Sequence, residues 1–263
     1  MGIVNLTEDS YFAQSRCTDV DAALCRIASM VEEGADIIDI GACSTRPGAV
    51  QIGADAEWER LEPVLKAVRE TFPHITLSID TIWASVVERA HALIGEFIVN
   101  DISAGEDDPQ MLPAVGRLGL PYIAMHKRGN PDEMQLMTCY DDVVEDVLDY
   151  FMDFSSKAEA AGITDWILDP GFGFAKTVEQ NYQLLGGISR FKDLRNREGK
   201  SVRILVGISR KSMIYRYLGI TPEEALPATQ LLHLAALQGG ADILRVHDVA
   251  EAVRTVRLYE ILS

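Results

Sequence analysis

Short apolar segments alternate along this chain with longer amphipathic segments. The apolar segments are hydrophobic almost throughout and rich in Ile, Val and Leu. That pattern is typical of parallel strands that are covered on both faces, because a half-exposed strand would alternate between apolar and polar residues. The eight predicted strands are residues 2–5, 37–41, 76–80, 97–102, 122–126, 166–171, 204–209 and 243–248.

The segments between these strands carry apolar residues every three or four positions, which is the spacing of an amphipathic helix. Gly162 follows the longest such segment, at the position where a C-terminal helix cap is expected. In the first segment, the apolar face consists of Ala22, Leu24, Ile27, Ala28 and Val31. The predicted helices are residues 21–33, 57–71, 85–93, 141–161, 227–238 and 249–262.

Eight strands that alternate with helices over about 250 residues predict a (β/α)8 TIM barrel. A doubly wound open sheet is the competing architecture, but it usually has fewer strands, and no GxGxxG motif follows the first predicted strand. Since no low-complexity linker divides the sequence, we expect one domain over residues 1–263. The first strand begins at Gly2, so we expect either that N-terminal residues are missing or that Met1 is an internal methionine.

The charge of the chain restricts its partners. The formal net charge is −16 at pH 7, so we expect no binding to nucleic acid, whose phosphates would be repelled. No apolar run approaches the ~20 residues of a membrane helix, and the N-terminus lacks the basic region of a signal peptide. The four cysteines show no metal-binding spacing and are typical of a reduced, cytoplasmic protein, which is the predicted location. They are Cys17, Cys25, Cys43 and Cys139.

Nearly every predicted strand ends in a polar residue. In a (β/α)8 barrel the carboxyl ends of the strands carry the function. Each buried polar group without a partner costs about 1–3 kcal/mol, so a barrel built only for stability would not place such groups at all eight ends. We interpret Asp39, taken alone, as a cap or a loop-orienting residue. The set is Asn5, Asp39, Asp80, Asn100 with Asp101, His126, Asp169, Ser209 with Arg210 and Lys211, and Arg245 with His247.

Part of this set has the chemistry of a heterocycle-binding site. Carboxylates and an amide can read the N–H groups of a flat ring, and a lysine can donate to its carbonyl or ring nitrogen. Methionine and phenylalanine can pack on the faces of such a ring. The candidate residues are Asp80, Asn100, Asp169, Lys211, Met125 and Phe174.

A second part suits an anion. Arg245 is a planar phosphate ligand, and His247 lies on the same face of the strand, because residues two apart share a face whereas Asp248 points to the other. Asn5 offers a neutral oxygen to a Mg²⁺ ion that keeps water and substrate ligands. The loop STRPGA, residues 44–49, projects further donors, although a plain surface turn explains it equally well. Its donors are Ser44, Thr45 and Arg46.

Together these residues resemble the dihydropteroate synthase family of pterin-binding barrels. The matching motifs span the chain in the order of the family. They are GIVNLTEDS, DIGACSTRPGA, SIDT, NDISAG, AMHKRGNP, ILDPGFGFAKT, SRKSM and RVHDV. SIDT or NDI alone is a weak signal, but STRPG, DPGFGFAKT, SRKS and RVHDV in one chain are highly specific.

The resemblance implies a transferase of folate biosynthesis. In that reaction 4-aminobenzoate displaces pyrophosphate from 6-hydroxymethyl-7,8-dihydropterin diphosphate through a pterin cation, which gives 7,8-dihydropteroate. The resemblance further implies Mg²⁺ as cofactor and a homodimer. It assigns the pterin to Asp80, Asn100, Met125, Asp169 and Lys211, the diphosphate to Asn5 (through Mg²⁺), Arg46, Arg245 and His247, and the aminobenzoate to Thr45, Arg46, Phe174, Lys211 and Ser212. The implied catalytic residues are Asp80, Asp169, Lys211 and Arg245.

The chain departs from the family pattern at several positions. Ala13, Gln14 and Ser15 stand where the family has an Asp-Gly-Gly turn, Cys43 stands where Glu is frequent, and Lys127 where Met is frequent. STRPG and RVHDV are intact, as expected of a sulfonamide target.

Two alternative functions remain. The first is a non-catalytic pterin-binding paralogue, in which the altered first loop has abolished turnover. The second is a pterin-dependent corrinoid methyltransferase, which has no need for a diphosphate grip. Four cations disfavour the methyltransferase: Arg46, Lys211, Arg245 and His247.

Overall fold

The structure is a computed structural model that describes residues 1–6, 19–43, 52–129, 133–196 and 198–262. Eight parallel strands in this part of the chain form one sheet, and they follow each other in sequence order. The strands are Gly2–Asn5 (β1), Ile37–Gly41 (β2), Thr76–Asp80 (β3), Ile98–Asp101 (β4), Tyr122–Met125 (β5), Trp166–Asp169 (β6), Arg203–Val206 (β7) and Ile243–Leu244 (β8).

Backbone hydrogen bonds join the first strand to the segment that follows the last one. The Ile3 N–H donates to the Val246 carbonyl at 3.0 Å, and the Val246 N–H donates to the Met1 carbonyl at 2.9 Å. The two pair as parallel neighbours through Gly2 and Val246. The sheet therefore closes on itself, and the predicted (β/α)8 barrel is confirmed.

Helices follow the strands along the chain. In the described part of the chain, the 3₁₀ helices Met134–Leu136 and Ile188–Asp193 lie between them. The α-helices of the described residues are Val20–Glu32 (α1), Ala54–Thr71 (α2), Ala84–Ile94 (α3), Met111–Leu118 (α4), Val143–Ala161 (α5), Val178–Gly186 (α6), Ser212–Leu218 (α7), Leu226–Gln238 (α8) and Val249–Leu262 (α9).

The six predicted helices are confirmed, and their ends move by at most three residues. Asp142 begins α5 by accepting hydrogen bonds from the backbone N–H groups of Val144 and Glu145. Gly162 ends it in the left-handed conformation, with a φ of 81°, which glycine adopts without steric cost. This cap was predicted from the sequence and is confirmed.

Three helices were missed in the sequence: α4, α6 and α7. The α4 segment contains Pro113 and Gly116 within eight residues, and both residues weaken a helix signal. Pro113 is tolerated because the first turn of a helix does not use that N–H. The α6 segment is mostly polar and begins with a capping box between Thr177 and Gln180, so it lacks the apolar stripe on which the other predictions rested.

The strands divide the core into two parts. Side chains on the outer face pack against the helices in the main core, whereas a small apolar cluster fills the lower interior of the barrel. The interior cluster consists of Ile98, Ile123, Ile167 and Leu205, with Met1, Ile37 and Ile243 packed against it. Because side chains alternate along a strand, this cluster identifies the inward-facing positions of most strands.

The last strand is shorter than predicted. Residues 243–248 were expected to form one strand, but β8 ends at Leu244. The chain continues in an extended course: the Arg245 N–H donates to the Val206 carbonyl at 3.0 Å. The N–H of His247 then donates to the Ser209 hydroxyl at 3.2 Å instead of to a strand carbonyl, because β7 has already ended at Val206.

Candidate active site

Some of the polar strand ends predicted from the sequence face the barrel interior, whereas others do not: Asp101 accepts hydrogen bonds from Tyr122 and Ser103, and Arg210 pairs with Asp248. Asn100, Met125, Asp169 and Arg245 each lie two residues beyond a member of the lower apolar cluster, so they share its inward face. The strand register places Asp80 beside Asn100. The same register logic places Met125 beside Asp169. These inward-facing residues therefore converge at the upper opening of the barrel.

The guanidinium of Arg245 lies between two carboxylates from neighbouring strands. Its Nε and Nη2 atoms are 2.7 Å and 2.6 Å from Oδ2 of Asp39, and Nη2 is 2.9 Å from Oδ2 of Asp80. Asp39 is fully buried. The predicted face is confirmed, since Asp248 pairs with Arg210 at 2.8 Å.

Asp39 has a larger part in this arrangement than the sequence indicated. Beyond Arg245, it accepts hydrogen bonds from the Ser78 hydroxyl at 2.6 Å and from the Asn100 amide at 3.2 Å and 3.3 Å. The interpretation of Asp39 as a loop-orienting residue was wrong, because its partners are side chains of β3, β4 and the β8 extension. Since a carboxylate only accepts, Asn100 turns its NH₂ group to Asp39, and its amide oxygen is oriented away from Asp39.

Asp169 and Lys211 form the other side of the opening. Asp169 Oδ1 accepts a hydrogen bond from the Gly171 N–H at 2.8 Å, which fixes the carboxylate at the end of β6. Lys211 precedes α7, and its ammonium donates to the carbonyl of Phe172. The same ammonium lies 4.8 Å from the centroid of the Phe174 ring. The predicted association of Lys211 with Phe174 is therefore present, and Ser212 follows as the first residue of α7.

Burial shifts the protonation equilibria of these groups. It raises the pKa of Asp80 to about 7 although Arg245 opposes the shift, and it raises the pKa of Asp169 despite the nearby Lys211. It lowers the pKa of Lys211 to about 8, against the attraction of Asp169. Burial also disfavours the charge of Arg245, but Asp39 and Asp80 outweigh it and raise the pKa of the guanidinium. The opening therefore holds one carboxyl group, Asp80, and one ammonium, Lys211, whose pKa values lie near neutral pH.

His247 is buried, and burial together with the Arg245 charge lowers its pKa to about 3. The imidazole is therefore neutral at pH 7 in this form of the protein. The sequence interpretation gave it a share in neutralising an anion. The structure corrects this interpretation: Arg245 supplies the charge, and His247 can supply a hydrogen bond.

Comparisons with known proteins agree with this geometry. The sequence profile of the pterin binding enzyme family matches residues 1–247. Dihydropteroate synthase from Escherichia coli (strain K12) is 38% identical over 262 residues, which are 99% of this chain and 90% of that protein. The chain belongs to the dihydropteroate synthases, within the pterin-binding enzyme family.

Solved structures support the same assignment. The Yersinia pestis dihydropteroate synthase, solved with a sulfonamide drug complex, superposes with a TM-score of 0.91 at 36% identity and covers 99% of this chain and 92% of that one. The Burkholderia cenocepacia dihydropteroate synthase, solved with 7,8-dihydropteroate, has a TM-score of 0.86 at 36% identity and covers 99% and 90%. The barrel of this family member thus matches its relatives over nearly the whole chain.

Two predicted site residues of this dihydropteroate synthase family member, Thr45 and Arg46, lie outside the described residues. The departures at Ala13, Gln14 and Ser15 lie outside them as well. The remaining predicted residues occupy the barrel opening as described, with Asn5 half-buried at the end of β1.

Buried polar residues lie beside the site, and two of them, Lys176 and Glu57, were not identified from the sequence. Lys176 contacts His126, and Lys127 lies 2.6 Å from Asp107. Glu57 is buried in α2, and burial raises its pKa to about 7. Their polar types were visible in the sequence, but their partners belong to other loops, and only the fold brings them together.

Within the described ranges, no three His, Cys, Asp or Glu side chains are placed to share a metal ion. Over the same part of the chain, no helix has the length and apolar character needed to cross a membrane.

Proposed function

We propose that this chain condenses 6-hydroxymethyl-7,8-dihydropterin diphosphate with 4-aminobenzoate and releases 7,8-dihydropteroate and pyrophosphate. Its family membership makes it a transferase. The observation that carries the proposal is the Arg245 guanidinium, held between Asp39 and Asp80 at the barrel opening. In this position, Arg245 adjoins Asp80, which is proposed to bind the pterin, and it can also contact the diphosphate of the same substrate.

The pterin would bind to Asp80, Asn100, Asp169 and Lys211, with Met125 against the ring. The orientation of Asn100 supports this role, since its amide oxygen faces away from Asp39 and can accept an N–H from the ring. Ionised Asp80 and Asp169 accept further N–H groups. The half-buried ammonium of Lys211 then donates to the carbonyl or a nitrogen of the heterocycle.

The diphosphate would bind beside Arg245 and His247. Arginine suits phosphate because its planar N–H groups match two oxygens, and neutral His247 adds one donor. Arg46 is the remaining proposed ligand.

We also propose Mg²⁺ at this position, with Asn5 as its protein ligand. The donor set fits, because Mg²⁺ commonly uses one protein oxygen and completes its shell with substrate phosphate and water. When bound, Mg²⁺ would neutralise negative charge on the leaving diphosphate. The half-buried amide of Asn5 at the end of β1 supports this role.

The aminobenzoate would lie beside Phe174, Lys211 and Ser212, with Thr45 and Arg46 closing over it. The contact between the Lys211 ammonium and the Phe174 ring supports this pocket. An ammonium on the edge of an aromatic wall suits a ligand with a flat ring and a carboxylate.

The charges of the site support a dissociative mechanism. Pyrophosphate leaves the pterin methylene carbon, and Arg245 stabilises the negative charge that develops on it. The resulting pterin cation is stabilised by the carboxylates of Asp80 and Asp169. The arylamine nitrogen then attacks the methylene carbon and loses a proton, and no enzyme nucleophile takes part.

The proposal is tested by forming labelled 7,8-dihydropteroate from radiolabelled 4-aminobenzoate and the pterin diphosphate. We expect Mg²⁺-dependent product that EDTA abolishes, and a loss of at least about 100-fold in kcat/KM for Arg245→Ala and Asp80→Asn. Arg203→Ala is the matched control, because Arg203 forms an exposed ion pair with Asp165 at 2.8 Å. A folded protein that binds the pterin diphosphate but forms no product would contradict the proposal and favour the non-catalytic paralogue.

We further propose a cytoplasmic homodimer. The cysteines Cys25, Cys43 and Cys139 are free thiols, as in a reducing compartment. Helices α8 and α9 pack side by side and expose large apolar side chains. Leu231, Leu258 and Ile261 are 70%, 62% and 82% exposed, and a second copy of the chain would cover them.

A further inference from the structure

Lys176 is an almost fully buried lysine that lies behind the candidate site and takes no part in the proposed chemistry. Its Nζ atom is 2.9 Å from Nδ1 of His126, 3.0 Å from the Gly171 carbonyl and 3.1 Å from the Phe174 carbonyl. An ammonium has three N–H donors, and here three acceptors surround it. Since burial of a charge is costly unless every donor is matched, this lysine is built into a specific set of contacts.

Two of these acceptors belong to the turn after β6, which has an unusual backbone. Gly171, Gly173 and Ala175 have φ values of 72°, 83° and 50°. Ala175 is strained in this conformation because its Cβ crowds the backbone. A turn with three left-handed residues does not hold its shape by backbone propensity alone, so side-chain contacts must maintain it.

Gly171 connects Lys176 to the reaction site. Its carbonyl accepts from Lys176, and its N–H donates to Oδ1 of Asp169 at 2.8 Å. A Cβ atom at this position would overlap the carbonyl oxygen of His126, so the turn lies directly against the end of β5. The position of the Asp169 carboxylate therefore depends on where Lys176 holds Gly171.

The same ammonium fixes the other side of the site. Its bond to the Phe174 carbonyl fixes the backbone position of Phe174, and the ring of Phe174 lies 4.8 Å from the Lys211 ammonium. Its contact with His126 holds the residue that follows Met125 on β5. Lys176 is therefore linked to three residues that are proposed to contact the substrates. It bonds to Phe174 directly, to Gly171 two residues after Asp169, and to His126 next to Met125.

We propose that Lys176 is a positioning residue that aligns the pterin carboxylate Asp169 with the aminobenzoate wall Phe174. This inference rests on the proposed function for the identity of the two substrates. Lys176 contacts neither substrate and moves no proton. It sets the distance between the pterin methylene carbon and the attacking amine, to which the rate of a bimolecular step is sensitive.

The contact also fixes the state of the His126 ring. Burial lowers the pKa of Lys176 well below its usual value; in its charged form the lysine only donates, so that Nδ1 of His126 accepts and the ring proton lies on Nε2. Burial and the Lys176 charge lower the pKa of His126 to about 2, which keeps the ring neutral. The tautomer of His126 therefore reports on the Lys176 contact, and it can be measured without enzyme turnover.

The test compares Lys176→Met with a matched control, Lys127→Met. Lys127 is a second buried lysine after β5, but it bonds to Asp107 rather than to the turn. For both variants we would measure kcat and KM for 4-aminobenzoate, the Kd of inorganic pyrophosphate with Mg²⁺, and the ¹⁵N NMR signals of the His126 ring. Arg245 and His247, which are proposed to bind pyrophosphate, follow β8, two strands along the barrel from the turn after β6, and Arg245 bonds to Asp39 and Asp80.

We expect Lys176→Met to lower kcat/KM for 4-aminobenzoate by about 100-fold and to leave the pyrophosphate Kd within about twofold of wild type. His126 should also lose its Nε2–H preference, and Lys127→Met should resemble wild type in all three measurements. Activity of Lys176→Met within about threefold of wild type would overturn the inference. So would an equal loss of pyrophosphate affinity, which would indicate general damage to the barrel.

Failure of the proposed function is distinguished within the same experiment. In that case wild-type protein forms no product, and the Kd of 7,8-dihydropteroate replaces the kinetic measurement. We expect this Kd to rise at least about tenfold in Lys176→Met. A loss of about this size is typical when a residue that supports a ligand-binding side chain is removed. Unchanged binding there would overturn the positioning role.

Discussion

Asp80 and Lys211 are two half-buried groups of opposite charge, with pKa values of about 7 and about 8. Burial is the main cause of both shifts, and it moves the pKa of Asp80 upward to about 7 and that of Lys211 downward to about 8. A carboxylate and an ammonium are both needed in the proposed mechanism. The two residues are therefore both in their charged forms over only a narrow pH range.

We predict a bell-shaped pH profile of kcat/KM for the pterin diphosphate. The rate should rise as Asp80 ionises near pH 7 and fall as Lys211 loses its proton near pH 8. Asp80→Asn should remove the acidic limb of the residual activity, and Lys211→Arg should move the alkaline limb to higher pH. Ionisation of the substrate affects wild type and variants alike. If both limbs of the pH profile stayed the same in Asp80→Asn and Lys211→Arg, the assignment of the limbs to these residues would be refuted.

Glu57 gives a prediction about stability. Burial raises its pKa from 4.5 to about 7, so the folded state binds one more proton than the unfolded state between these pH values. The free energy of unfolding should therefore decrease as pH rises from about 4.5 to about 7, by about 3 kcal/mol in total. Glu57→Gln should remove this decrease, because glutamine does not titrate.

Denaturant unfolding at pH 4.5 and pH 8 measures the effect. Glu59→Gln is the matched control, since Glu59 is exposed on the same helix and should leave the pH dependence as in wild type. An identical pH dependence in wild type and Glu57→Gln would show that Glu57 does not carry the buried charge.

At the scale of the elements, the helix α4 depends on one close approach. A Cβ atom at Gly116 would overlap the carbonyl oxygen of Ala161 and lie 2.8 Å from its carbon. Gly116 is therefore required by the packing of α4 on the end of α5, and not by its own backbone conformation. This requirement explains why a helix breaker stands inside a helix.

We predict that Gly116→Ala lowers the free energy of unfolding by about 2 kcal/mol, because the new methyl group forces the two helices apart. Gly186→Ala is the control, since Gly186 is also helical and a Cβ there meets nothing within 4 Å. That substitution should be neutral or stabilising by up to about 1 kcal/mol. Equal effects in thermal or urea unfolding would show that the α4–α5 contact is not tight.

The sequence predicted elements well where one periodicity dominated. The strands were identified because near-continuous apolar runs are distinctive, and α5 because a long apolar stripe ends in Gly162. The helices α4 and α6 were missed because proline, glycine or polar residues hide their stripes, and α7 because its seven residues are too few to show a helical period. A neighbouring helix stabilises each of these helices, as α5 does for α4. The local sequence of a helix does not show which other helix packs against it.

At the scale of the whole molecule, the exposed apolar residues of α8 and α9 lead to a prediction about assembly. Wild-type protein should sediment as a dimer, and Leu231→Glu should give monomer, because a buried charge opposes the interface. Leu136→Glu is the control: Leu136 is 85% exposed but lies in the 3₁₀ helix before α5. A wild-type monomer, or dissociation by both substitutions alike, would refute this interface.

The sequence by itself determined which polar residues stand at the upper ends of the strands, because apolar runs mark the strands and the parallel order puts their carboxyl ends at one end of the barrel. Asp80, Asn100, Asp169 and Arg245 were found in this way. The tertiary structure alone decided how these residues pair. Arg245 and Asp39 are 206 residues apart, and Lys176 reaches His126 across 50. Barrel closure brings such groups within 3 Å, and no local pattern encodes which carboxylate an arginine will meet.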